Sequence, residues 1–224
     1  MTTALLQTTY FGPIQWYQKL YRYDHCLIEQ YDSFQKQTYR NRCIIATANG
    51  MQTLTVPVEH SPLSSQFSPI VKDLRISDHN QWRRVHWNAL QSAYSESPFF
   101  EYYADDLRPF FEQKYEFLLD FNETIRQTIC ELIDIHPQVE YSSQFTVHSS
   151  QFQIADVQPN DELCTMNYAL KDFRDVINAK HPQPDADFKP KEYWQVFQHK
   201  HGFLPNLSIL DLLFNMGPES IFYL

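Results

Sequence analysis

Lys36, Arg40, Asn41 and Arg42 place three cations and one amide within seven positions of a polar stretch that runs from Ser33 to Arg42. Guanidinium forks match the planar oxygens of carboxylate and phosphate, so the pattern suits a small anionic substrate. A solvated basic turn that balances nearby acids is the alternative. The stretch has neither the periodicity nor the apolarity of core and leads into a strand, as a functional loop would. His86 is the candidate for proton transfer: imidazole changes charge near neutral pH, and helical spacing aims it where Trp82 aims. A histidine satisfied inside the core is the other possibility for that position.

Other groups offer less. His79 and His86 share a helix face but lie about 10 Å apart along the axis, too far to hold one metal ion. His199-Lys200-His201 stands alone, so no metal site is assigned. Asp105 and Asp106 adjoin each other and suit either helix capping or paired acid–base work. Ser149-Ser150 lacks the Gly-x-Ser-x-Gly elbow of a serine nucleophile. The four cysteines, Cys26, Cys43, Cys130 and Cys164, form no Cys-x-x-Cys pair and are expected as buried free thiols in a reducing compartment. With only four glycines, no G-x-G or G-K-[ST] run exists to bring backbone against a pyrophosphate, and no cofactor is assigned.

These side chains need a scaffold. The 224 residues suffice for one domain, with an α/β core over 1–150 and a loop-rich, helical C-terminal part over 151–224. Thr3 to Tyr10 suits a strand, Pro13 opens a helix through about Arg22, and His25 to Ile28 is a buried strand, together a βαβ start. Cys43–Ala46 and Leu54–Val58 flank Asn49-Gly50, which supplies the positive φ angles of a two-residue hairpin. A short strand is expected at Val71–Ile76, followed by a helix from Asn80 to Tyr94 capped by Asp78. Leu107 to Leu119 has the pattern of an amphipathic helix that continues to Asp134, and Val139 to Val147 that of a strand. Gln151 to Lys191 is expected as mostly surface loop, with helices near Tyr193–Lys200 and Leu207–Phe214 beyond it. The expected fold is α/β, a Rossmann-like mixed sheet with helices on its faces.

A formal net charge of −9 argues against broad nucleic-acid or anionic-membrane binding. No run of 18 apolar residues and no signal-peptide pattern occur, so no membrane span and a cytoplasmic location are expected. Oligomeric state is not readable from the sequence.

Several strings together resemble the WbqC-like family: Tyr39-Arg40-Asn41-Arg42, Leu54-Thr55-Val56-Pro57-Val58, Trp82 with His86-Trp87, Ser97-Pro98-Phe99-Phe100, and Asn206 through Leu213. The likeness spans nearly the whole chain. It implies a protein of surface-polysaccharide assembly such as O-antigen synthesis, an acyl- or glycine-type transferase acting on a sugar nucleotide or glycan precursor. A non-catalytic carbohydrate- or partner-binding protein is the alternative. Gln7 and Lys19 fall on the positions of a Gln and a Lys in the family's N-terminal pattern, whereas Thr8 stands where the family has Pro. On this resemblance Lys36, Arg40 and Arg42 would hold the anionic part, Asn41 and Gln7 would orient the acceptor, and His86 would take its proton.

Overall fold

The structure is a computed structural model that describes residues 2–59, 68–143 and 169–224. β1 (Thr2–Gln7), α1 (Ile14–Arg22) and β2 (His25–Glu29) form the expected βαβ unit. The two strands run parallel, with Thr3 opposite His25 and Gln7 opposite Glu29. Pro13, at φ −69°, leads into α1 with its ring already in a helix-compatible conformation. β3 (Arg42–Thr47) and β4 (Gly50–Thr55) make an antiparallel hairpin. Four helices follow: α2 (Trp82–Tyr94), α3 (Phe100–Leu107), the short α4 (Pro109–Glu112) and α5 (Leu118–Leu132). β5 (Val139–Tyr141) then pairs with β2, and β6 (Ala169–Asp172) with β1, both in parallel. The main sheet therefore reads β5-β2-β1-β6, and the hairpin forms a second sheet of its own. In β1 the consecutive residues Ala4, Leu5 and Leu6 are all buried, as they must be when both faces of a parallel sheet are covered. The chain closes with α6 (Gln198–His201) and α7 (Ile209–Met216). Among the described residues, no helix is long and apolar enough to cross a membrane.

The α/β expectation stands, and several local expectations do not. In the hairpin, Gly50 alone takes a positive φ (102°), and Thr47 Oγ1 donates to its carbonyl across the turn. Val71–Ile76 is not a strand: Val71–Asp73 is a 3-10 turn, and only isolated bridges join Ile76 to Val58 and Arg75 to Phe117. Asp78 does not cap α2, because its carboxylate is taken by Arg83 and Lys114. Asp105 and Asp106 cap nothing, being exposed within α3. The helix expected over Leu107–Leu119 is interrupted, since Pro109 starts a new turn and Gln113 is extended. β6 lies inside the span expected as loop, and Tyr193–Lys200 holds only the single turn of α6. The parts of these expectations on 144–168, with Cys164, Ser149 and Ser150, fall outside the described residues. Cys26, Cys43 and Cys130 are buried and free, and burial raises all three thiols, Cys26 to about 12 and Cys130 to about 11.

One buried carboxylate organises the C-terminal part. Asp211, on α7 and fully buried, accepts from Tyr94 Oη at 2.8 Å, Tyr193 Oη at 2.6 Å and Gln195 Nε2 at 3.0 Å. Burial raises its pKa although these donors oppose the shift. α7 is pinned at its start by Ser208, whose hydroxyl accepts from Leu210 N–H and donates to the Phe11 carbonyl. Asp211→Ala strands two buried hydroxyl donors at once, Tyr94 and Tyr193, and takes one of the acceptors of Gln195. It is expected to lower urea-measured stability by about 3 kcal/mol or more; a loss below about 1 kcal/mol would contradict this role.

Candidate functional site

In open α/β sheets ligands bind outside the carboxyl ends of the strands, where the chain changes the direction in which it adds them. That edge carries Gln7 at the end of β1, Glu29 at the end of β2 with Asp32 beyond it, Ser142 after β5, and Asp172 at the end of β6 with Arg174 beyond it. Buried charges gather there to an unusual density. Glu29, Asp32, Arg40 and Arg174 are each at most 7% exposed. Asp32 bridges two guanidinium groups, accepting from Arg40 Nη2 at 3.0 Å and Arg174 Nη1 at 3.1 Å. Arg174 also binds Asp172 at 2.6 Å, and its Nη1 lies 4.0 Å from Glu29. Glu29 in turn accepts from Ser142 Oγ at 2.9 Å and the Tyr31 N–H at 2.7 Å. Behind this cluster several buried oxygens lack a hydrogen-bond partner among the described residues: Gln7 Oε1, Thr9 Oγ1, Asn41 Oδ1 and Asn122 Oδ1. Each amide does use its nitrogen, Gln7 on the Ile177 carbonyl, Asn41 on Val56 and Asn122 on Arg40.

Beside the cluster the edge opens into a groove of about 560 Å³. Gln30 and Tyr141, which follow β2 and end β5, form one wall; Phe117, Asp120, Glu123 and Gln127, at and along α5, form the other. Burial alone would raise the Glu123 pKa, but hydrogen bonds from Arg126 and Tyr141 outweigh it and hold the carboxyl below its ordinary range. Asp120 stays exposed. Carboxylates and amides flanked by two aromatic rings suit a ligand with hydroxyl donors and an apolar ring face.

The residues singled out in the sequence are only partly brought together. Gln7, Arg40 and Asn41 are buried behind the carboxyl edge. Much of the loop Ser33–Arg42 is folded inward, with Phe34, Thr38 and Tyr39 buried beside them although the stretch lacks the apolarity of core, while Ser33 and Gln35–Gln37 stay exposed. Arg40 is engaged by Asp32, and burial lowers its pKa in spite of that carboxylate, so it presents no open fork to an anion. Lys36 is exposed. Lys19 lies on the far half of α1, paired with Asp185 at 2.6 Å. Arg42 stands opposite Thr55 in the hairpin, and the Thr55 backbone hydrogen-bonds the ring of His86. His86 is 4% exposed; Nδ1 lies 2.9 Å from Tyr10 Oη, and its ring packs on Trp82 at 5.1 Å. The imidazole therefore links the β1–α1 loop, the hairpin and α2 rather than facing an opening. Glu29, Asp32, Asp172 and Arg174 were missed, although charged residues directly after an apolar run are the available signal of a strand's carboxyl end.

Comparison with known proteins bears on the whole chain. The profile of the WbqC-like protein family matches residues 7–223. A protein of Mycobacterium tuberculosis, Rv1507c, itself described as uncharacterized, is 27% identical over 230 residues, covering 99% of this chain and 96% of that one. No solved structure matches.

Burial drives the His86 pKa down to about 4 against the opposing pull of the Thr55 backbone. The unfolded chain takes up this proton near pH 6.5 and the folded one only near pH 4, so the imidazole's contribution is intact above 6.5 and is lost as pH falls through that window. Stability is expected to drop by about 3 kcal/mol from this group between those limits. Urea titrations across the window should show a flatter slope for His86→Gln; an identical slope would contradict the buried neutral imidazole.

Proposed function

The chain belongs to the WbqC-like protein family, and on that premise we propose that it binds a sugar nucleotide or glycan precursor and transfers an acyl or aminoacyl group to it. The observation that carries this is the open groove at the carboxyl edge, where amides and carboxylates accompany the rings of Phe117 and Tyr141. Sugars present hydroxyls at their rim and C–H faces above and below, and such walls answer both. The exposed carboxylate Asp120 is the group to accept the proton of an acceptor hydroxyl or amine as that atom bonds the acyl carbon of an activated ester or thioester donor, whose carrier group leaves with the electron pair of the broken acyl bond. Gln30 and Gln127 would orient the acceptor. His86 acts in this scheme through Tyr10, holding the β1–α1 loop, and not as the base.

A non-catalytic sugar-binding protein is favoured by one feature, that Arg40, Arg174, Asp32 and Glu29 already engage one another. The two alternatives share a site and differ in turnover. Calorimetric titration with sugar nucleotides is expected to show binding that Asp120→Asn combined with Gln127→Leu weakens about tenfold or more, with an unchanged melting temperature, since both side chains are at the surface. Equal affinity in the double variant would remove the groove as the site. Acyl transfer that falls in Asp120→Asn more than binding does would support catalysis; no transfer from any acyl donor, with binding intact, would leave the non-catalytic alternative.

A further inference from the structure

A group of cations gathers away from the carboxyl edge. A second groove, of about 570 Å³, runs along the last two turns of α1 and the segment 186–191. Lys19, Arg22, Lys189 and Lys191 line it, against a single carboxylate, Asp187. In a chain of net charge −9 this is a local reversal of sign, and such a cleft draws anions by concentrating the field. Helix termini with basic side chains occur for structural reasons alone, and part of this set does serve the fold. Lys19 pairs with Asp185, Arg22 Nη2 donates to the Leu224 carbonyl at 2.7 Å, and Lys191 Nζ to the Phe222 carbonyl at 2.6 Å. Those contacts use one donor each of the five that a guanidinium and the three that an ammonium carries. Lys189 is exposed and has no hydrogen-bond or ion-pair partner among the described residues.

A second observation narrows the ligand. Gln18 also lines the groove, is 2% exposed, and its Oε1 has no partner among the described residues. A buried amide oxygen left without a donor is costly, and it selects a ligand that brings an N–H or O–H alongside its negative charge. The ring of Tyr23 forms part of the wall, and Phe222, whose carbonyl Lys191 holds, is 71% exposed. Inorganic anions offer no apolar face.

We propose that this groove is a second ligand site, for a nucleoside diphosphate: Arg22, Lys189 and Lys191 take the phosphate oxygens and Gln18 accepts from the nucleoside. The assignment does not rest on the sugar site at the carboxyl edge. Titration calorimetry with uridine diphosphate, adenosine diphosphate and inorganic pyrophosphate separates the possibilities. Saturable binding of at least one nucleoside diphosphate is expected, and Lys189→Glu, an exposed change, should weaken it tenfold or more. Gln18→Leu should weaken the nucleotide but leave pyrophosphate unchanged. Unaltered nucleotide affinity in Lys189→Glu, or no saturable binding at millimolar nucleotide, would overturn the proposal. Equal affinity for pyrophosphate and both nucleotides would overturn the nucleoside assignment. Should Gln18→Leu fail to fold, the Lys189→Glu comparison still decides.

Discussion

Asp32 shares its two carboxylate oxygens between Arg40 and Arg174, and the carboxyl edge of the sheet is organised around that pairing. None of the three is more than 7% exposed, so each charge has lost its water and depends on the others. The triad joins segments far apart in sequence: the exit of β2, the loop 33–42 and the exit of β6. Pulling that loop inward is what buries Tyr39 and Asn41 and brings the Tyr39 carbonyl to the Tyr10 N–H at 2.9 Å. Removing one partner from such a cluster leaves another charge stranded, which is why its geometry is held so firmly.

The same triad engages Arg40, one of the three cations that the stretch 33–42 offers to an anion. Arg40 is spent on a carboxylate, and the open groove beside it is lined by three acids, Asp73, Asp120 and Glu123, by the amides of Gln30 and Gln127, and by a single cation, Lys72. Positive charge is instead concentrated along α1, by residues separated by some 170 positions. The chain thus presents two grooves of opposite character, one suited to hydroxyls and the other to phosphates.

Much of the architecture was legible in the sequence, because local rules fixed it. The βαβ start follows from Pro13 between two apolar runs, and the hairpin from Gly50 between β-branched segments. The rest depended on partners distant in the chain. Asp78 has the residue type of a helix cap, yet Lys114 and Arg83 claim its carboxylate. Val71–Ile76 has a strand's composition, but among the described residues no neighbouring strand pairs with it beyond isolated bridges. β6 was invisible because Ala169–Asp172 is short and half polar, with no turn signal to mark it off. Of the candidate site residues, Gln7, Arg40 and Asn41 reached the carboxyl edge, Lys19 did not, and Lys36 is exposed. His86 was correctly aimed at Trp82; what spacing could not reveal was that Tyr10 and Thr55 close around it.

A crystal structure with a bound sugar nucleotide tests the carboxyl-edge assignment most directly. The sugar ring is expected in the groove between Tyr141 and α5, with hydroxyls within hydrogen-bonding distance of Asp120 and Gln127. A ring lodged anywhere else, with those two side chains facing only solvent, would contradict it.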